Sequence, residues 1–385
     1  MIPYGRQDIN QQDIDAVVDV LTSDFITQGP TVPLFEEKLK EFCGSKYAIA
    51  SNSATSSLHA ACYALGVSVG DEVWTSPNTF VASANCALYC GAKIDFVDID
   101  CKTYNLCPEK LEEKLKIAKR RGKIPKVVIP VHLTGQSCDM EKIFQLSQEY
   151  GFKIIEDASH AIGAKYFDEN VGSCKYSDIT VFSFHPVKII TTAEGGIATT
   201  NQKSLAEKLD LFRSHGITKN KNFLKNNNDG PWYYEQIDIG YNYRMTDIHA
   251  ALGISQINRI KSIIEKRHSI AERYSKELNG IPIFLPWQDP NQHSSFHLYV
   301  IRLDIKKASI SHKDFFIKMR ESNILVNLHY IPVYFHPYYQ KLGFEKGYCI
   351  EAENYYKSAV SIPIFPTLSN DDQSMVIETI KSLIK

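Results

Sequence analysis

At 385 residues, 44% hydrophobic and 23% charged, the chain has ordinary globular composition and the length for one large domain plus a smaller one. A formal net charge of −1 excludes the global field that nucleic acid or an anionic membrane would select. Nine cysteines without a C-x-x-C pair read as reduced thiols with no metal site, and no apolar run reaches about 18 residues, so the expectation is a soluble cytoplasmic protein.

The first element is an amphipathic helix over residues 11–22, with Ile14, Val17, Val18 and Leu21 at helical spacing. A Thr27-Gln28-Gly29-Pro30 turn precedes a second helix around 32–42. Short apolar strands follow near 47–50, 72–75, 93–97, 126–131, 153–157, 179–183 and 196–199, with helices between many of them, as at 54–65, 79–89 and 140–150. Strands apolar on both faces that alternate with helices predict an α/β fold, a mostly parallel sheet between helices. The run Lys119-Arg120-Arg121-Gly122-Lys123 ends a helical stretch, where cations suit the helix C-terminus. The polar stretch 219–230, with Asn226-Asn227-Asn228-Asp229-Gly230, has no periodicity and is expected to be a mobile loop. A helix over 248–266 leads to a change of character, with a strand near 297–303, a helix at 313–322, a strand near 324–329 and a closing helix at 370–384. The expected division is a large domain over 1–260 and a small α+β domain over 261–385.

Two segments carry chemistry. Lys153-Ile154-Ile155-Glu156-Asp157-Ala158-Ser159-His160 puts an aspartate at the end of a buried strand. Thirty-one residues on, Phe182-Ser183-Phe184-His185-Pro186-Val187-Lys188 puts a lysine after another, and Glu194-Gly195-Gly196 closes that segment. Alone, the lysine reads as a solvated turn residue and the Glu-Asp pair as a loop cap. Together they are the two charges that pyridoxal phosphate needs: an amine to bond its aldehyde and a carboxylate to keep its ring nitrogen protonated.

The words around both residues resemble the DegT/DnrJ-type nucleotide-sugar aminotransferases, which are fold-type-I pyridoxal-phosphate enzymes, and the resemblance runs from about Tyr4 to Pro366. It implies pyridoxal 5′-phosphate as cofactor, with Lys188 as the covalent attachment and proton carrier and Asp157 as partner of the ring nitrogen. Ser51-Asn52-Ser53-Ala54-Thr55-Ser56-Ser57 opens a helix after a strand, which is either an ordinary N-cap or an anion site; the resemblance assigns Ala54 and Thr55 to the phosphate. It adds Ser183 as a further phosphate ligand and Phe80 as an aromatic stacked on the cofactor ring, although a core Phe would look the same. His160 stands where relatives often carry Gln and could bond the phenolic oxygen, or be a structural histidine.

Gly240-Tyr241-Asn242-Tyr243-Arg244-Met245-Thr246-Asp247 resembles the word in which the asparagine reaches the phosphate of the neighbouring subunit. That implies a homodimer with shared active sites. Arg244 is a candidate for a substrate pyrophosphate or carboxylate, or for an ion pair with Asp247. Substrate positions implied by the resemblance are Tyr4, Asp24, Phe25, Ile26 and Thr27, then Leu328, His329, Tyr330 and Ile331. The aromatics Tyr334, Phe335, Tyr338 and Tyr339 suit stacking on a base or sugar, and equally a small-domain core.

Within the family, the segments at 21–29, 159–161 and 213–216 most resemble the transaminases that make UDP-4-amino-4,6-dideoxy-N-acetyl-β-L-altrosamine. The implied reaction moves an amino group from glutamate to the 4-keto UDP-sugar UDP-2-acetamido-2,6-dideoxy-β-L-arabino-hex-4-ulose, on the way to pseudaminic acid and the glycosylation of flagellin. Alternatives are another keto nucleotide sugar, such as one leading to 4-amino-arabinose, a sugar dehydratase, or a non-catalytic relative. Lysine at 188 argues against the dehydratase, which typically has histidine there.

Overall fold

The computed structural model describes residues 1–225 and 230–384. The tract Asn226–Asp229, central to the expected mobile loop, lies outside the described residues. A seven-stranded sheet holds β1 (Tyr47–Ser51), β2 (Glu72–Thr75), β3 (Lys93–Phe96), β4 (Val127–Ile129), β5 (Lys153–Asp157), β6 (Ile179–Ser183) and β7 (Gly196–Thr200). Their order across the sheet is β1-β7-β6-β5-β4-β2-β3. All neighbours run parallel except β7, which is antiparallel to both β1 and β6. β4, β6 and β7 are buried at every residue, as a sheet covered by helices on both faces requires. One core cluster, around Leu58, Val73, Val127 and Phe212, fills one side of the sheet, and others built on Phe35, Phe182, Ile264 and on Trp74, Leu115, Ile154 complete the packing. A further core gathers Tyr274, Tyr299, Phe315, Val360 and Ile377, and the N-terminal Ile2 joins it because Ile2–Pro3 pairs with Ile324–Leu325.

Three local expectations are revised. The expected helix over 248–266 is two helices, Asp247–Asn258 and Ile260–Glu277, broken at Arg259 (φ −105°, ψ 0°). The Arg259 guanidinium there pairs with Asp8 at 3.2 Å and Asp13 at 2.6 Å, partners 251 and 246 positions away. Helix Gln11–Leu21 forms as expected, but its buried residue is Asp13, while Ile14, Val18 and Leu21 are exposed. The helix docks through that carboxylate and leaves its apolar stripe open. The helix expected from 79 starts at Ala82, because Thr79–Val81 turn instead and swing Phe80 outward.

Candidate active site

The C-terminal ends of β1, β5 and β6 open onto a cavity of about 810 Å³, the edge where open α/β sheets bind ligands. It is lined by Tyr4, Ala54, Thr55, Phe80, Asp157, His160, Ser183, Lys188, Leu328, His329, Tyr330 and Ile331, twelve of the residues singled out from the sequence.

Period-two alternation separates the two acids of β5. Glu156 turns to the far face, where His132 Nε2 (2.7 Å) and Thr180 Oγ1 (2.8 Å) bond it. The backbone N–H of Cys138 donates to His132 Nδ1 at 3.0 Å, so that ring presents its one proton to Glu156. Burial would raise the Glu156 pKa, but the donors around it prevail and hold it below the usual range. Asp157 faces the cavity instead. Ser83 Oγ donates to its Oδ2 at 2.6 Å, and Ser159 donates to Oδ1 from Oγ at 2.6 Å and from its backbone N–H at 3.1 Å. Three donors fix the carboxylate and leave its remaining lone pairs for a positive ligand atom.

Lys188 sits one tight turn beyond β6, its N–H bonded to the carbonyl of His185 at 2.9 Å. Burial lowers its pKa to about 8, against the opposing pull of Asp157. About a tenth of the amine is therefore unprotonated at pH 7, far more than for an ordinary lysine, and this is the form that attacks a carbonyl. The imidazoles beside it are held neutral. Burial, then the nearby Lys188, lowers the pKa of His329 to about 3 and that of His160 well below its ordinary value. The Thr134 N–H donates to His160 Nδ1 at 3.3 Å, which places the ring proton on Nε2, 3.1 Å from the Tyr330 hydroxyl. Both nitrogens of His160 are thus engaged within the chain, the arrangement of the structural reading, although the Tyr330 bond lies at the cavity wall.

Helix Ala54–Ala64 begins at the cavity with Ser53 as N-cap, its side chain accepting from the Ser56 N–H at 3.1 Å. Ala54 and Thr55, the first two residues of this helix, line the cavity, and the N–H groups of a helix's first turn lack intrahelical acceptors and favour an anion. Gly196 makes this possible. A Cβ there would strike the Ala54 nitrogen and the Ser53 carbonyl carbon, so β7 can pass behind the turn only as glycine. Phe80 is 60% exposed over the cavity, which sets aside the core reading and leaves an aromatic face for a planar ligand. A cradle for an anion, an aromatic lid, a reactive amine and a fixed carboxylate are the donor set that pyridoxal phosphate requires, so the residues present fit the group.

The other predicted residues gather elsewhere. Asp24, Phe25, Ile26 and Thr27 form an exposed loop tied to the 244–247 segment by the Thr27–Thr246 bridge and by Asp247 N–H donating to the Ile26 carbonyl at 3.0 Å. Asn242 is exposed and Arg244 half-buried, and neither lines the cavity of its own chain. Among the described residues Asp247 forms no ion pair with Arg244; its carboxylate accepts from the Gly29 and Val32 N–H groups. The aromatic run is mostly core. Tyr334 and Tyr339 are buried, Tyr334 donating to Glu353 at 2.8 Å, while Tyr338 is exposed. The sequence reading missed Ser83, whose partner lies 74 positions away, and Ser159, whose adjacency to Asp157 was the available signal.

The DegT/DnrJ/EryC1/StrS aminotransferase family matches residues 7–381. A relative from Campylobacter jejuni, UDP-4-amino-4,6-dideoxy-N-acetyl-beta-L-altrosamine transaminase, is 39% identical, covering 100% of this chain and 98% of its own length. The spore coat polysaccharide biosynthesis protein SpsC of Bacillus subtilis is 38% identical over 100% of this chain and 97% of its own. Among solved structures, Helicobacter pylori PseC, an aminotransferase involved in the biosynthesis of pseudoaminic acid, superposes with a TM-score of 0.91 at 32% identity, covering 100% of this chain and 99% of that one. The chain therefore belongs to the DegT/DnrJ/EryC1/StrS aminotransferase family and is a pyridoxal-phosphate-dependent sugar aminotransferase.

Proposed function

We propose that this chain transfers an amino group from glutamate to C4 of a UDP-linked 4-keto sugar, UDP-2-acetamido-2,6-dideoxy-β-L-arabino-hex-4-ulose, in the cytoplasm and on a route to pseudaminic acid. The observation that carries the reaction class is Lys188, half-buried with its pKa lowered to about 8 by desolvation, in one cavity with a carboxylate held by Ser83 and Ser159. Similarity to the Campylobacter altrosamine transaminase and to Helicobacter PseC supports the sugar. Likeness to SpsC at nearly the same identity supports a second reading, in which the acceptor is a different keto nucleotide sugar. Lys188 and Asp157 together argue against a non-catalytic relative.

When bound, pyridoxal phosphate supplies an aldehyde that carries the amino group and a conjugated ring that accepts an electron pair. In this reading Ala54 and Thr55 hold the phosphate through backbone N–H groups, with the Thr55 and Ser183 hydroxyls beside them. Asp157 keeps a proton on the ring nitrogen, and Phe80 covers one face of the ring. Lys188 Nζ takes and returns the proton at the reacting carbon. Tyr4, Leu328, His329, Tyr330 and Ile331 would shape the sugar end of the cavity.

The reading includes a homodimer in which Asn242 reaches the partner's phosphate and the loop Asp24–Thr27, with Arg244, borders the partner's substrate. Support comes from the exposed apolar side chains Ile14, Val18 and Leu21 along one helix and Phe25 and Ile26 in the loop that follows it. The division at residue 260 belongs to the same proposal. Incubating the purified protein with glutamate and a panel of 4-keto UDP- and dTDP-sugars tests it. Preferential amination of the L-arabino-hex-4-ulose is expected; turnover of only a dTDP-sugar or a pentose would establish the second reading.

A further inference from the structure

The segment that swings Phe80 over the cavity also carries two buried hydroxyls. Thr79, 3% exposed, lines the cavity, and Ser83, fully buried, stands one turn later in the helix Ala82–Tyr89. Their oxygens are 2.6 Å apart, and Ser83 Oγ is also 2.6 Å from Asp157 Oδ2. The protons can be counted. An ionised carboxylate only accepts, so the single Ser83 hydroxyl hydrogen goes to Asp157, and the hydrogen between the two hydroxyls belongs to Thr79. The Phe80 carbonyl, 3.4 Å from Ser83 Oγ, accepts instead from the Ser83 backbone N–H at 3.3 Å. A directed chain therefore runs from Thr79 through Ser83 to Asp157, buried along its length, and each bond polarises the next. Ser159 donates only to the other carboxylate oxygen, so among the described residues this chain is the one donor to Oδ2.

We propose that Thr79 and Ser83 are positioning residues that hold the proton shared by Asp157 and the cofactor's ring nitrogen on the nitrogen; the inference rests on the reading that Asp157 faces that nitrogen. In a desolvated site this proton has two places. On the nitrogen it makes a charged pair, and on the carboxylate it leaves two neutral groups, which burial favours. Hydrogen bonds donated to a carboxylate stabilise its charge and tip the balance back toward the charged pair. The ring accepts electrons well only with its nitrogen protonated, so the chain of hydroxyls acts on the electron sink through Asp157 without touching the ring nitrogen. Removing one donor should change the ratio of the two proton positions about tenfold, the scale of one hydrogen bond to a charged group.

The test is nitrogen-15 NMR of the protein saturated with pyridoxamine 5′-phosphate labelled at the ring nitrogen, which reads the position of this proton without turnover. Wild type should show the resonance of a protonated ring. Ser83→Ala should move it toward the free-base position, and Thr79→Val, which replaces the hydroxyl by a methyl, should move it the same way by less. Thr79→Ser keeps the hydroxyl and should keep the wild-type position. Side chains that only shaped the site would weaken binding and leave the resonance in place, so an unmoved resonance in saturated Ser83→Ala and Thr79→Val overturns the inference. Should Ser83→Ala not fold, Thr79→Val against Thr79→Ser decides alone. Asp157→Asn is the separating control, expected to give the free-base resonance. If it does while Ser83→Ala and Thr79→Val match wild type, the role of the hydroxyls alone fails. If the ring stays protonated in Asp157→Asn, the reading of Asp157 fails and takes the hydroxyls with it.

Discussion

The cavity floor and the surface around Asn242 are opposites in how completely one chain builds them. At the floor, Asp157 has its donors within 3.1 Å, and desolvation of the half-buried Lys188 lowers its pKa to about 8. Around Asn242 and the Asp24–Thr27 loop the backbone is well bonded, but the side chains Phe25, Ile26 and Asn242 face outward. Amine chemistry needs a desolvated, preorganised pair, which a sheet edge supplies locally. In the proposed dimer, closing the site around a phosphate and a large substrate would draw on this outward-facing surface of the partner.

Substitutions at the floor should therefore be severe whatever the oligomeric state. Lys188→Ala should abolish steady-state transamination in a protein that still folds, measured without added amine; appreciable turnover would remove Lys188 from its role. Asp157→Asn should slow proton abstraction about a thousandfold, since about 4 kcal/mol of lost charge stabilisation corresponds to three decades in rate. Stopped-flow of the half-reaction with glutamate measures it, and a near wild-type rate would place the electron sink elsewhere.

The pH profile sharpens the contrast. Below pH 8 Lys188 is mostly ammonium, so its reaction with the aldehyde of added pyridoxal phosphate should rise about tenfold per pH unit and level off above pH 8. A plateau reached only near pH 10.5 would mean that the lysine is solvated. Smaller still, Phe80→Ala should weaken cofactor binding several-fold, the scale of about 0.5–1.5 kcal/mol for an aromatic pair, without changing the pH at which Lys188 titrates.

The same two regions differ in what the sequence revealed. Strands Glu72–Thr75, Lys153–Asp157 and Ile179–Ser183 were readable to the residue because each is a short segment centred on β-branched or aromatic residues between polar turns. Lys188 and Asp157 stood out because an aspartate ending one strand and a lysine after another occur together in words that resemble one family; either alone would have read as a turn residue or a loop cap. Ser83 and the Arg259 break were not, since each is decided by a partner far along the chain. The apolar stripe of helix Gln11–Leu21 was visible, but periodicity does not say whether a stripe faces its own core or another chain. The aromatics at 334–339 had the composition of a stacking site, and only packing assigned Tyr334 and Tyr339 to the core.

Mixing two damaged chains tests the shared site most directly. Lys188→Ala and Asn242→Ala homodimers, each inactive or clearly impaired, are allowed to exchange subunits, with heterodimers verified by mass. One site of each heterodimer then carries Lys188 from one chain and Asn242 from the other, both intact, and the second site carries both lesions. The account predicts that activity returns, to about half that of a wild-type dimer per heterodimer by this symmetry. Verified exchange without any return of activity would mean that Asn242 serves its own chain or no site at all.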